Sequence, residues 1–399
     1  MHDDQVDSLL AARTRDVVWP SRNLTAPPGT IFFSGGTPDP AHYPMGVLTE
    51  LLPDVLREDD AAAMTYVPEP GYAGLREVLA ARHSERDGVD LDPAQIAITN
   101  GTAGALVMAA AAFLEPGDVV IVDRQTYHGA LLTFRLAGAS VIGVPLDDDG
   151  LRADALEELL TDLQASGQRV KLVYTIPGCQ SPTGRLMPAA RRRQLADLAR
   201  RFGVVLLYDD TYGELRYEDG FPPSLLAYAP ERTMHLGSFS KTIAPGLRVG
   251  WTAAPPNITA ALTSIRTDLG TTAIMQRLVA RFIEGGYYDA HLAQVNPFYR
   301  DKRDVMVEAL EEHCAPYCTW HVPPGGFFIW LEFPHDAVPE LEQLGLEERV
   351  AFFGGHHFSV DEPERAGLRL AFGQLSVDDI REGIGRLGRA MARQVAPAR

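Results

Sequence analysis

Between residues 95 and 208 the chain repeats one pattern: a short run dense in β-branched and apolar residues, a turn, then a longer stretch with apolar positions at helical spacing. The runs fall at 95–99, 119–122, 141–144, 170–174 and 204–208, and helical stretches at 103–114, 153–163 and 189–202 lie between most of them. Strands without polar alternation, separated by helices, predict a mostly parallel sheet covered on both faces, the α/β class. Two more apolar runs, 233–236 and 249–253, bracket the segment Gly237–Arg248. Upstream, residues 1–30 with Pro20, Pro27 and Pro28 read as an irregular arm. Residues 31–40 read as a short strand entering a Gly/Pro turn, and 45–57 and 75–83 as helices. Downstream, 270–312 reads as long helices, followed by strands at 325–333 and 367–372 and a closing amphipathic helix at 378–393. The expected division is an arm and part of a small domain over 1–44, a large domain over 45–290, and a small α+β domain over 291–399.

In parallel sheets of this kind ligands sit at the carboxyl ends of the strands, so chemical residues should follow the apolar runs directly. They do. Asn100-Gly101-Thr102-Ala103-Gly104 follows the first run and opens a helix, whose free N–H groups form an anion site. Thr126-Tyr127-His128-Gly129 follows the second, and Pro177 to Gly184, containing Ser181, follows 170–174. Asp209-Asp210-Thr211-Tyr212 follows 204–208; adjacent aspartates at such a place also suit a helix cap or a metal. After 233–236 come Ser238, Ser240 and Lys241, with Arg248 seven positions beyond the lysine. A lysine beside small hydroxyls and a guanidinium suits a Schiff base to a carbonyl whose molecule also carries a phosphate. Arg369 lies in an apolar run, where an unpaired guanidinium is costly.

Gly237-Ser-Phe-Ser-Lys-Thr-Ile-Ala-Pro-Gly-Leu-Arg248 resembles the lysine site of fold-type I pyridoxal 5′-phosphate (PLP) enzymes, specifically class I/II aminotransferases. The resemblance runs from about residue 31 to the end and includes Tyr66-Val-Pro-Glu-Pro-Gly-Tyr-Ala-Gly-Leu-Arg76, Pro177-Gly-Cys-Gln-Ser-Pro-Thr-Gly184, Asp209-Asp-Thr-Tyr212 and Arg369-Leu-Ala-Phe372. It implies that Lys241 carries PLP and acts as the base, and that Asp209 pairs with the pyridine nitrogen. Spacing to Tyr212 favours Asp209 over Asp210 for that role. Tyr212 and Ser181 then meet the phenolic oxygen, and Tyr127 stacks on the ring. Ser238, Ser240, Arg248 and the turn Gly101, Thr102 and Ala103 hold the phosphate. Tyr66 is expected to reach the phosphate of the neighbouring subunit, making a homodimer. Arg369 is expected to bind the substrate α-carboxylate and Gly36 to border the substrate entrance. One residue departs from the pattern: Ser181 stands where the family has asparagine.

Composition narrows the partners. The formal charge is −17, with 53 acidic against 36 basic residues, which argues against nucleic acid or an anionic membrane surface. Three cysteines, an acidic N-terminus and no bilayer-length apolar stretch make a reducing cytoplasm the expected location. His313, Cys314, Cys318 and His321 lie close in sequence, but they read as a helix end, a turn and a strand start, and no metal is expected. The expected activity is exchange of an amino group between an α-amino acid and a 2-oxo acid, in the aminoadipate, aromatic and branched-chain subgroup. A related enzyme using the Cα carbanion for elimination, replacement, cyclisation or oxidation stays open, given Ser181 and the His356-His357 pair. A regulatory domain of the kind fused to winged-helix repressors is disfavoured, since no such domain precedes residue 31.

Overall fold

The computed structural model describes residues 9–14, 26–334, 338–361 and 366–395; Pro20 and most of the arm lie outside them. The apolar runs form one seven-stranded sheet: β1 (Ile96–Thr99), β2 (Val119–Asp123), β3 (Ser140–Val144), β4 (Val170–Thr175), β5 (Val205–Asp209), β6 (Thr233–Ser238) and β7 (Gly250–Ala253), in the order β1-β7-β6-β5-β4-β2-β3. Strands β3, β2, β4, β5 and β6 pair in parallel, and β7 runs antiparallel to both β6 and β1. Strands β1, β2, β6 and β7 are buried at every position, as a sheet covered on both faces requires. The alanine-rich helix α1 (Gly101–Phe113) buries Ala105, Ala109 and Ala110, side chains small enough to bring its backbone close to the sheet. Its first turn thereby reaches the end of β1.

The sequence pattern places most elements to within a few residues. It passes over the helices His128–Leu136, Pro256–Ser264 and Val338–Glu347 and the two-residue strand Phe353–Gly354, all short. A four-stranded sheet holds Thr319–Trp320, Phe328–Glu332, Gly367–Ala371 and Phe353–Gly354 in that spatial order, with Arg369 opposite both Trp330 and Phe353. Ile31–Phe32 pairs in parallel with Val350–Ala351, which ties the N-terminal segment to this part of the chain. The 27-residue helix Tyr287–His313 fixes the same segment: Lys302 Nζ donates to Asp39 Oδ2 (2.7 Å) and Gly373 O (3.1 Å), while the Asp39 N–H donates to the Tyr299 hydroxyl (2.9 Å).

The loop after β4 is held by two buried polar side chains. Gln180 donates to Gln125 O (2.6 Å), and its Oε1 accepts from the Thr183 N–H and hydroxyl (2.9 and 2.7 Å). Arg192, fully buried, donates to the carbonyls of Met187 (3.0 Å), Pro223 (2.9 Å) and Pro177 (3.1 Å). Removing that guanidinium strands three acceptors in the interior. Arg192→Met is therefore expected to destabilise the fold by about 3 kcal/mol, read from urea unfolding at matched protein concentration. An unchanged unfolding midpoint would show that Arg192 is not what pins this loop.

Candidate active site

A cavity of about 370 Å³ opens at the carboxyl ends of the strands. Thr102, Ala103, Tyr127, Ser181, Asp209, Tyr212, Ser240, Lys241 and Arg248 line it from the large sheet. Phe328, Phe353 and Arg369 close it from the small sheet, and Ser34 to Thr37 from the N-terminal segment. Among its described lining residues Lys241, Arg248 and Arg369 face a single carboxylate, Asp209. A chain of formal charge −17 thus encloses a locally cationic pocket suited to anionic groups.

Lys241 Nζ donates to Gly36 O (2.7 Å) and lies 5.9 Å from the centre of the Tyr212 ring. Burial, then the positive charges of Arg369 and Arg248, pull its pKa down to about 8, with Asp209 opposing them. Gly36 is required here: a Cβ on it would sit 2.8 Å from the Phe328 ring and 3.0 Å from the Tyr212 hydroxyl.

The residues expected to hold a phosphate lie together in two layers. Thr102 and Ala103 present the start of α1 to the cavity. Gly101 itself lies beneath the Arg248 guanidinium, which donates to Asn100 O (3.0 Å); a Cβ at Gly101, whose φ is +66°, would come within 2.9 Å of it. Ser240 lines the cavity, while Ser238 stands behind it, its hydroxyl donating to Ser240 Oγ (3.0 Å) and accepting from the Ser240 N–H (3.1 Å).

The paired aspartates part company. Asp209 faces the cavity, and its oxygens accept from the Tyr174 hydroxyl (2.9 Å), the Thr211 hydroxyl (2.6 Å) and the Thr211 N–H (3.1 Å). Burial raises its pKa against those hydrogen bonds, and among the described residues it has no cationic partner. Asp210 turns away to Arg86 (2.8 Å) and accepts from the Tyr208 hydroxyl (2.7 Å). Arg86 continues to Asp87 (2.9 Å), and His83 joins Asp87 (3.1 Å) to the Trp251 indole (3.1 Å). This buried network consumes Asp210.

Arg369 is buried, and its guanidinium lies 4.1 Å from the centre of the Phe328 ring and 4.5 Å from that of Phe358. It donates to Ser34 O (2.7 Å), yet its Nε has no partner and, among the described residues, it forms no ion pair. Burial lowers its pKa to about 10. Tyr212 is buried against Phe327 and Phe328, and burial raises its phenol pKa well above the usual range. Ser181 is buried and borders the cavity; the Tyr127 ring lies over Gly129, where a Cβ would meet it at 2.5 Å.

Tyr66 is the exception to convergence. Expected to act on a neighbouring subunit, it is 79% exposed and lies outside the cavity of its own chain. Sequence reading also missed His128, Ile176, Thr211, Phe328 and Phe353 as lining residues. The strand-end rule could have found His128 and Thr211, which directly follow Tyr127 and Asp210; Phe328 and Phe353 come from the other sheet and carry no such signal. Of the His313–His321 segment, Cys314 and Cys318 are buried free thiols whose pKa burial raises.

Comparison with known proteins places this geometry. Residues 34–387 match the family model for aminotransferase class I and II. The chain is 35% identical to aromatic-amino-acid aminotransferase 1 of Thermococcus litoralis, over 92% of this chain and 88% of that one. It is also 35% identical to the 2-aminoadipate transaminase of Thermus thermophilus, over 92% and 91%. The kynurenine aminotransferase of Pyrococcus horikoshii, solved in complex with PMP, superposes with a TM-score of 0.92 at 32% identity, covering 98% of each chain. The chain therefore belongs to the class I and II aminotransferase family and is a PLP-dependent transaminase of fold type I.

Proposed function

We propose that this cavity holds PLP on Lys241 and exchanges an amino group between an α-amino acid bound at Arg369 and the matching 2-oxo acid. One observation carries the assignment: a lysine amine with a depressed pKa shares one cavity with a buried carboxylate and a buried guanidinium, neither of which forms an ion pair among the described residues. PLP and an amino acid together supply what is missing, a cationic ring nitrogen for Asp209 and a carboxylate for Arg369. When bound, PLP supplies an aldehyde that condenses with amines and a ring that accepts the electrons released at the substrate Cα.

The chain's own residues do the rest. Arg248, Ser240 and the N–H groups at Thr102 and Ala103 grip the phosphate, with Gly101 giving Arg248 room and Ser238 orienting the Ser240 hydroxyl. Tyr127 stacks against the ring, and Tyr212 and Ser181 meet its phenolic oxygen, the serine standing in for an asparagine. Arg369 orients the substrate so that its Cα–H faces Lys241. Lys241 Nζ, as the neutral amine that burial favours, takes that proton and returns it. Gly36 lets the amine, Tyr212 and Phe328 approach one another. Every cation among the described lining residues then has a partner, and Phe328, Phe353 and Ile176 leave an apolar wall, so the favoured substrate side chain is large and uncharged. Relatives named for aromatic substrates support this reading.

The working unit we infer is a cytoplasmic homodimer. Exposed Tyr66 and Met64 lie near Glu69, whose ion pair with Arg266 (3.0 Å) ties their segment to the one carrying exposed Ile265 and Leu269, and from its exposed position Tyr66 is free to reach a neighbouring subunit. Three buried free cysteines suit a reducing compartment, and among the described residues no helix is long and apolar enough to cross a membrane.

In the cofactor-free protein, amine-directed acylation followed by peptide mapping should show Lys241 titrating near pH 8, protonated and inert below it and reactive above. Arg369→Gln removes a like charge and should move that midpoint upward. A midpoint near the ordinary lysine value of 10.5 would contradict the electrostatic account.

The two aspartates give a second prediction. Asp209→Asn should lower kcat by at least about 100-fold with the cofactor still bound, because the ring nitrogen loses its anionic partner. Asp210→Asn should act on stability through Arg86 and far less on kcat. The reverse ranking would assign the pyridine nitrogen to Asp210.

A further inference from the structure

Outside the active site, one cluster gathers metal-type ligands. Glu342 lies on the helix Val338–Glu347, and His356 and His357 lie on the single 3-10 turn Gly355–His357. The Glu342 oxygens stand 3.6 Å from His357 Nε2 and 3.9 Å from His356 Nε2. One ligand atom from each residue falls within 4.8 Å of the others, the one such gathering of histidine, cysteine and carboxylate groups among the described residues.

Two imidazoles and a carboxylate are a donor set for zinc, nickel or copper rather than for magnesium or calcium, which prefer oxygen. Bonds of about 2.0–2.1 Å in a tetrahedral site put ligand atoms roughly 3.4 Å apart. The separations run to different oxygens of Glu342, 3.6 Å from Oε1 to His357 and 3.9 Å from Oε2 to His356, so rotation of the carboxylate is the movement that presents one oxygen to both imidazoles. The carboxylate is already oriented, since Glu342 Oε1, the oxygen that faces His357, accepts the Gly354 N–H (2.8 Å), a contact of the kind that fixes metal ligands. His356 is half exposed, which leaves an entry path and an open position for water. A plain ion pair needs only one histidine; here two adjacent ones address opposite oxygens of one carboxylate.

We propose that Glu342, His356 and His357 form a binding site for a divalent transition-metal ion, with zinc as its natural probe. The ion would join the helix to the turn that follows the edge strand Phe353–Gly354. That strand carries Phe353, whose ring is 5.5 Å from His357 and 5.8 Å from the Arg369 guanidinium, so the site borders the substrate cavity without entering it. Competing thiols are poor rivals: Cys179 and Cys318 are buried, with pKa values pushed up to about 12.

The test is calorimetric titration of chelator-treated holoenzyme with zinc chloride in a non-coordinating buffer, magnesium chloride serving as control. Wild type should bind about one zinc per chain and no magnesium. Glu342→Gln, which keeps an acceptor for the Gly354 N–H, and His356→Gln should each weaken zinc binding at least about 10-fold. Retained cofactor absorbance confirms that each variant is folded. If wild type takes up no zinc, or if both folded variants bind it as tightly as wild type, the site does not exist.

Discussion

Desolvation of charge is the constraint from which this active site follows. A guanidinium, a carboxylate and an amine share a cavity with aromatic walls, and each is costly there without a partner. The fold could have paired Arg369 with Asp209 or filled the space with apolar side chains. Instead it holds Arg369 against Phe328 and Phe358 with one carbonyl contact, and it holds Asp209 with neutral hydroxyl donors. Like charges at Arg369 and Arg248, added to burial, then make the protonated form of Lys241 unfavourable and leave an amine that gives up its proton near pH 8. Electrostatic frustration among the cavity's own side chains becomes affinity for a molecule carrying the complementary charges.

Keeping those charges apart needs rigid surroundings. Asp210 is adjacent to Asp209 in sequence, and a second free carboxylate would offset another of the pocket's positive charges. The Arg86–Asp87–His83 network removes it from the cavity. Arg192 and Gln180 pin the loop that carries Ser181, and Lys302 and Tyr299 pin the segment that carries Gly36. Gln180 to Gln125 spans 55 positions and Lys302 to Asp39 spans 263, so the site's geometry belongs to the whole fold rather than to any motif.

That division explains what could be read from the chain. Strand runs and the turns after them are local features, and they placed Thr102, Asp209, Ser240 and Lys241 around one cavity through the strand-end rule alone. Spacing to Tyr212 chose Asp209 over Asp210, and the geometry agrees as to which of the two faces the cavity. Phe328 and Phe353 were not legible, because they reach the cavity by folding of a separate sheet and look in sequence like ordinary core residues. Glu342 was invisible for the same reason: its relation to His356 and His357 exists only once the helix packs beside the turn. Phe353–Gly354 and His128–Leu136 were too short for periodicity to register.

The central claim is that Lys241 moves the substrate proton in a transamination. The most direct measurement is a single half-reaction: holoenzyme mixed with an aromatic amino acid and no 2-oxo acid acceptor, with cofactor absorbance followed in time and products identified. Wild type should convert its cofactor to the amine form and release one equivalent of the matching 2-oxo acid per active site, while Lys241→Ala should not. Free ammonia from wild type, or an undiminished half-reaction in Lys241→Ala, would contradict the account.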